Sequence, residues 1–358
     1  MRIKFNVIAG LVTVVFAVSG FILMGNLLSP QTEPRLITAI TEPEFVSTAQ
    51  AEPLIAEPKR EYPDSEKISW LIHVRDMHIT DNRVWVATPE GLLQTDRNGI
   101  QCRIIDSADG LDPRDISQIV DLPERTLFGA GREFYEYLGP DVFRRVELPL
   151  VPPVTYCHAF DSLQYIAGYE NGVFKYTPDT PVLLKDDLLV TALAFGPDGL
   201  WVGTDGNGLW RLNGDKWQKR FMRPDTGAFD YVTALAYKWP HLMVGTPKGL
   251  YRFDGGKWEV HDGQDSTFPG SYITALAFAN HRWYIGTAEY GLWTLVDSTF
   301  APVDEVPGSS ITCIKVFRKD VYVGTEDAGV YVLRAGEWRQ LYQTDGVPEI
   351  PRTLLTLM

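Results

Sequence analysis

Six histidines, three cysteines and 46 carboxylates are the residues of this 358-residue sequence with the most obvious chemical capacity, and their spacing limits what they can do. His73, His78, His158, His241, His261 and His281 never pair at a spacing that presents two imidazoles to one metal ion, so no metal centre is expected. Cys102, Cys157 and Cys313 are too few and too scattered for a disulfide framework or a zinc cluster, and all three are read as core thiols. No Gly-x-Ser-x-Gly elbow, His-Glu-x-x-His pair or phosphate-cradling Gly-Lys-Ser/Thr loop is present. Gly203, Gly206 and Gly208 come nearest to a dinucleotide fingerprint, but they stand between two strand-like runs rather than at the start of a helix. No cofactor is expected. A catalytic set assembled from distant segments needs no local motif, so an enzyme remains the alternative to a binding protein.

Lys and Arg total 33 against 46 for Asp and Glu, a net charge of −13, and such a surface repels the phosphate backbone that dominates nucleic-acid affinity. Nucleic acid is therefore excluded as a partner. Ten Trp, sixteen Tyr and seventeen Phe accompany 31 Gly and 24 Pro, the mixture of strand formers and turn residues that many short strands require.

The strands are ordered by a repeat. Leu200-Trp201-Val202-Gly203-Thr204 returns as Leu242–Thr246, Trp283–Thr287 and Val321–Thr325, with degenerate copies ending at Thr88, Ala130 and Gly168. Successive copies are 42, 38, 36, 42, 41 and 38 residues apart. A period near 40 carrying several strand signals predicts a β-propeller, and the count predicts seven blades. Within one copy, Tyr272–Phe278, Trp283–Thr287 and Gly291–Leu295 read as three strands, and tight turns such as Asp254-Gly255-Gly256 lead into a fourth at Trp217 or Trp258. The expected fold is all-β, a seven-bladed β-propeller of four-stranded antiparallel blades.

Loops from every blade converge where the innermost strands begin, so the residues just before those strands are the candidate binding site. That lead-in position holds His73, Asp115, Val154, Leu189, Tyr231, Tyr272 and Ser310, of which His73, Asp115, Tyr231, Tyr272 and Ser310 are the candidates. It reads as the one repeat position free to vary in character. The hairpins after the Gly-Thr pairs add Glu90, Glu170, Asp205, Glu289, Glu326 and Asp327 against Arg132 and Lys248, which predicts an acidic face. Cys157 and Cys313 align with Ala192, Ala234 and Ala275 at an inner position that packing keeps small, and Trp217, Trp258 and Trp338 share an outer position. Those tryptophans read either as wedges between blades or as stacking platforms for sugars.

The motif sequence Ile/Val-Thr-Ala-Leu-Ala-Phe/Tyr, Leu-Trp-Val-Gly-Thr, Gly-Leu-Tyr/Trp-Arg resembles the two-component regulator propeller repeat, over roughly residues 70 to 358 and most strongly in repeats four to seven. The resemblance implies an extracytoplasmic sensor-type propeller. This sequence departs from that family in lacking a second membrane span, a kinase and a response regulator, so the resemblance also implies a partner with its own transmembrane signalling domain.

Residues 5–28 hold 24 consecutive uncharged positions, about 36 Å as a helix and enough to cross a hydrocarbon core. Arg2 and Lys4 before this run favour a cytoplasmic N-terminus. Residues 1–28 are thus expected to form a single-pass anchor in the inner (cytoplasmic) membrane. The alternative is a signal segment cleaved after Ala17-Val18-Ser19, giving a secreted or periplasmic protein. Residues 29–67, with six prolines, eight acids and four bases, read as a disordered spacer. Residues 68–358 form the propeller, placed in the periplasm or extracellular space, and the tail 350–358 reads as the start of an eighth repeat that pairs near residues 68–79 and closes the ring. The function expected from these readings is a membrane-tethered, non-catalytic binding, scaffold or sensor-type propeller that presents its lead-in face to a protein partner or small ligand. The alternatives are a propeller enzyme of glycosidase, lyase or quinone-dependent dehydrogenase type, or an envelope-assembly subunit.

Overall fold

The computed structural model describes residues 73–342 apart from 101, 106–110, 112–114, 140–141, 149, 159–163, 178–180, 221–229 and 264–267, and the side chains of Tyr156, Cys157 and His158 are outside the description. The expected anchor (1–28), the spacer (29–67), residues 68–72 and the tail 350–358 lie outside the described residues.

The described residues form seven four-stranded antiparallel sheets, each built from four consecutive strands in the order in which they occur along the chain. The innermost strands are Asp76–Ile79, Ile116–Leu122, Val154–His158, Val190–Gly196, Ala234–Lys238, Ile273–Ala279 and Ile311–Phe317, from blade one to blade seven. Seven apolar clusters separate the sheets, and each joins two neighbouring blades. The seventh joins Tyr322, Val330, Val332 and Leu341 of blade seven to Val74, Met77 and Val86 of blade one, so the ring is closed. A blade whose faces are apolar on both sides has no stable form alone, and closure is what removes those faces from water.

The Gly-Thr motif has a distinct physical task at each residue. A Cβ on Gly203, Gly245, Gly286 or Gly324 would lie 2.5–2.7 Å from a methyl group of Val232, Ile273, Ile311 or Val74, the first core residue of the next blade. Glycine there sets the distance between blades. The threonine beside it is fully buried and turns its hydroxyl onto the next hairpin: Thr88, Thr204, Thr246, Thr287 and Thr325 donate to the carbonyls of Gly91, Gly208, Gly249, Gly291 and Gly329 at 2.6–2.9 Å. Backbone hydrogen bonds repeat across the interfaces as well, from Val232 N–H to the Thr204 carbonyl and from Val74 N–H to that of Thr325. The last interface thus repeats the internal ones. In blade three, where the motif has decayed to Ala167-Gly168, the Asn171 carboxamide accepts from Val151 N–H beside Gly168 and pins the hairpin in a different way.

Closure also carries a polar seam. Arg97 of blade one and Arg334 of blade seven both bind Asp320, at 2.6 and 2.7 Å, while Arg334 also reaches the Tyr322 hydroxyl and Asn98. Blade one obtains all four of its described strands from residues 76–105, so among the described residues no strand is exchanged between blades one and seven, and the two meet by packing, side chains and the Val74 backbone hydrogen bond.

Two alignments and one burial differ from the sequence-based expectation. Thr155, not Cys157, pairs opposite Ala167 and so occupies the inner position of Gln118 and Ala192, and blade three lacks the one-residue bulge of its neighbours, blades two and four. The lead-in residue of blade three is Pro153 rather than Val154: the Pro153 carbonyl accepts from Tyr169 N–H as those of Leu189, Tyr272 and Ser310 accept in their blades, and Val154 is already the first paired residue. Cys102 is exposed rather than in the core, since it begins the outermost strand of blade one, where one edge always faces solvent. Cys313 is buried as expected, and burial pushes its thiol up to about 12. The three outer tryptophans pack into the inter-blade clusters: Trp258 lies 4.7 Å from Phe253 and Trp338 meets Tyr284 edge-on. They act as wedges.

Candidate functional site

Two regions concentrate chemistry, one at the lead-in end of the ring and one inside its channel. At the lead-in end each innermost strand begins beside the hairpin that follows its own Gly-Thr pair, which brings the five candidate residues to one face. Tyr231 and Tyr272 are 51% and 46% exposed, and Leu189 and Tyr290 are exposed on the same face. Blades four, five and six thus present an apolar arc. Tyr169 donates to Asp205, whose backbone bridges that of Tyr231, and the carboxylate pushes the Tyr169 phenol pKa upward.

On the opposite arc the polar candidates are engaged with neighbours. His73 Nδ1 lies 2.6 Å from the Glu326 carbonyl, and Asp115 pairs with Arg75 at 3.3 Å. Ser310 uses its carbonyl to hold Glu326 N–H, and the adjacent Ser309 hydroxyl bonds Asp327. Arg132 approaches Glu170 at 3.9 Å. The face is rich in carboxylates, as expected, but several are already paired with a base or a hydroxyl. What stays open is the aromatic arc.

The second region was not anticipated. Two alternate positions on the innermost strands hold Ala192 and Ala194, Ala234 and Ala236, Ala275 and Ala277 in blades four to six. The same positions hold Cys313 and Lys315 in blade seven, Asp76 and His78 in blade one, and Gln118 and Val120 in blade two. The lead-in position is therefore not the one place where the repeats vary. Lys315, Asp76, His78 and Gln118 line a channel cavity of about 480 Å³, together with Asp121, Thr155 and the apolar wall residues between them.

Asp76 organises this cavity. Its carboxylate takes Lys315 at 2.7 Å and the backbone N–H groups of Met77 and Ile119 at 2.8 and 2.9 Å, so one side chain links blades seven, one and two. Burial pulls the Lys315 ammonium pKa down, but Asp76, the Cys313 thiol and Asp121 more than offset it, and the net direction is upward. His78 Nε2 lies 3.6 Å from Asp121, yet burial holds its pKa below the usual imidazole value. Gln118 Oε1 accepts from Val154 N–H at 2.8 Å, while its Nε2 has no hydrogen-bond partner among the described residues. Among those residues no group of three or more His, Cys, Asp or Glu is arranged to hold a metal ion.

No protein-family model matches the sequence, and a search of curated proteins returns no match. Solved structures do match. One is the extracellular domain of a B. thetaiotaomicron protein designated a hybrid two component system, at 17% identity and a TM-score of 0.59, covering 75% of this chain and 38% of that one. PorZ, a bacterial surface component of the type-IX secretion system of Porphyromonas gingivalis, matches at 13% identity and 0.56, covering 79% and 39%. YCF48 bound to D1 peptide matches at 12% identity and 0.57, covering 81% and 99%. The chain thus spans well under half the length of the first two. Extracellular two-component domains are among the structures that share this architecture, in keeping with the repeat motif. At these identities the likeness is one of fold, and by fold the chain is a seven-bladed β-propeller.

Proposed function

We propose that the chain is a non-catalytic, extracytoplasmic binding propeller, tethered to the cytoplasmic membrane through residues 5–28, that presents its lead-in face to a protein partner. One observation carries this reading: Leu189, Tyr231, Tyr272 and Tyr290 remain exposed on three adjacent blades of a single face. Aromatic side chains with a polar tip offer large contact area at low entropic cost, and such residues dominate binding hot spots. The peptide-bound state of YCF48 and the extracellular placement of the two-component domain support the same reading for this fold. A partner with its own membrane span would carry any signal across the bilayer.

Replacing Tyr231 and Tyr272 with Ala tests the face. Partner capture by the exported part, measured by pull-down from its native membrane and mass spectrometry, is expected to fall by about 1 kcal/mol or more per residue, with the melting temperature almost unchanged. A large loss of stability with unchanged capture would assign both tyrosines to the fold. N-terminal sequencing tests the tether, since a mature protein beginning at Gly20 would overturn it.

A second reading, a site for a small molecule, is favoured by the polar channel cavity. Within it, Asp76 and Lys315 neutralise one another, which leaves them poorly placed to act as a free acid or nucleophile.

A further inference from the structure

The backbone that carries the exposed rings of the lead-in face is held in place. Tyr290 donates its N–H to the Thr287 hydroxyl and accepts from the Trp293 indole N–H at its carbonyl, both at 2.9 Å. The Tyr272 carbonyl holds Ala288 N–H at 3.0 Å, the Leu189 carbonyl holds Asp205 N–H at 2.8 Å, and Asp205 in turn bridges the backbone of Tyr231. A ligand laid across the arc therefore does not bear the cost of ordering that backbone. The charge around the arc is lopsided. In the lead-in loops and hairpins of blades four to six, Asp186, Asp187, Asp205, Asp230, Asp262 and Glu289 stand against Lys185 and Lys248 among the described residues. Lys185 is taken up by Asp187 at 2.5 Å and lies over the Trp210 ring, which leaves Lys248 as the base. Asp230 and Glu289 immediately precede Tyr231 and Tyr290 in the chain, and neither has a basic partner among the described residues. On the opposite arc, by contrast, Asp115 and Glu170 have Arg75 and Arg132 beside them.

We propose that the aromatic arc of blades four to six takes a basic segment of the protein partner, an extended stretch that carries Arg or Lys among apolar side chains. This rests on the reading of the lead-in face as a partner-binding surface and adds the chemistry of the partner. The apolar side chains of the segment cover Leu189 and the exposed rings, and its cations answer Asp230 and Glu289. A guanidinium also stacks on a tyrosine face, where the ring quadrupole attracts it further. An acidic segment is repelled by the same carboxylates, and a purely apolar one strips them of water and gives nothing in return. The rings alone would accept any apolar surface, so the charge around them sets the choice of partner.

The test uses the full-length chain in a non-ionic detergent and fluorescein-labelled peptides read by anisotropy. One peptide repeats Gly-Arg-Leu, and in two controls glutamine or glutamate takes the place of arginine. The arginine peptide is expected to bind about tenfold more tightly than the glutamine peptide in about 0.05 M salt, with the advantage shrinking toward about 0.5 M, and the glutamate peptide is expected not to bind. Asp230→Asn with Glu289→Gln should lower affinity for the arginine peptide about fivefold, the scale of two exposed charge pairs, and leave the glutamine peptide unchanged. Asp215→Asn with Asp297→Asn makes the same change of charge in hairpins at the other end of blades four and six and should alter nothing, which separates a site from general attraction to an acidic protein. Tyr231→Ala with Tyr272→Ala should weaken the arginine and glutamine peptides alike. The proposal is overturned if the arginine peptide fails to bind, if it binds no better than the glutamine peptide, or if the two charge changes have equal effects. In the partner pull-down, capture that is lost with the tyrosine variants but kept with Asp230→Asn and Glu289→Gln retains the face and overturns its basic ligand, whereas capture unaffected by the tyrosine variants overturns the face itself.

Discussion

Asp320→Ala removes the carboxylate shared by the two arginines of the closing seam, and its cost can be worked from the geometry. Asp320 is 13% exposed and takes Arg97 from blade one and Arg334 from blade seven at 2.6 and 2.7 Å. Deleting one member of a buried pair typically costs about 3–5 kcal/mol, because the remaining charge is stranded. Here the stranded groups keep other partners: Arg334 retains Tyr322 and Asn98, and Arg97 lies over the Phe317 ring at 5.0 Å. The lower end, about 3 kcal/mol, is therefore expected, which for a domain of this size lowers the melting temperature by about 6–12 °C. Asp198→Ala is the control within one blade, since Asp198 holds a single arginine, Arg211, at 3.0 Å and accepts from the Trp201 indole N–H at 3.2 Å, both in blade four. It should cost about 1–2 kcal/mol. Thermal and urea unfolding of the two variants, with an Asp320–Arg97 double-mutant cycle, measures the seam directly. A coupling below about 0.3 kcal/mol, or equal losses for Asp320→Ala and Asp198→Ala, would refute the idea that the seam holds the ring shut.

Three further outcomes follow from the structure. Gly245→Ala drives a methyl group into Ile273 of the next blade and should destabilise by about 1–3 kcal/mol in urea melts, whereas Gly256→Ala, at an open turn, should be nearly neutral. Thr246→Val removes the buried hydroxyl that holds the Gly249 carbonyl and is expected to cost about 1–2 kcal/mol, with hydrogen exchange accelerated in that hairpin. Burial lowers the pKa of His78, His241 and His261, so the unfolded chain binds protons that the fold rejects. Their contribution to stability is complete above the unfolded imidazole value of about 6.5 and is lost as pH falls through the folded values, and His261→Leu should flatten the slope of melting temperature against pH below that point.

Blade number, strand order and the Gly-Thr interface were legible because each is stated several times in the chain, and repetition separates a packing rule from an accident. Blade three was misaligned, by one residue at its lead-in position and by two at its inner position, for the converse reason: its Gly-Thr pair had decayed, and the missing bulge before Thr155 leaves no mark in composition. Cys102 was misread because an outer strand and a core strand share the same apolar residue types, and only position in the blade distinguishes them. The channel groups were overlooked although a trace was present. Lys315, His78 and Gln118 stand where better-conserved copies of the motif show alanine or another small residue, and a departure from a repeat carries as much information as the repeat itself. Their convergence depends on ring closure, which sets Lys315 near one end of the described chain beside Asp76 near the other.

Every described sheet is assembled from consecutive strands, and the seam between blades seven and one uses the same contact of glycine with a β-branched side chain as the internal interfaces and the same backbone hydrogen bond as that between blades four and five. The chain's linear order is therefore weakly coupled to its shape. Cutting the ring between any two blades and joining the old ends would leave all seven sheets whole. Whole repeats can thus be gained, lost or reordered as modules, with selection acting on the side chains of one sector while the others keep the circle.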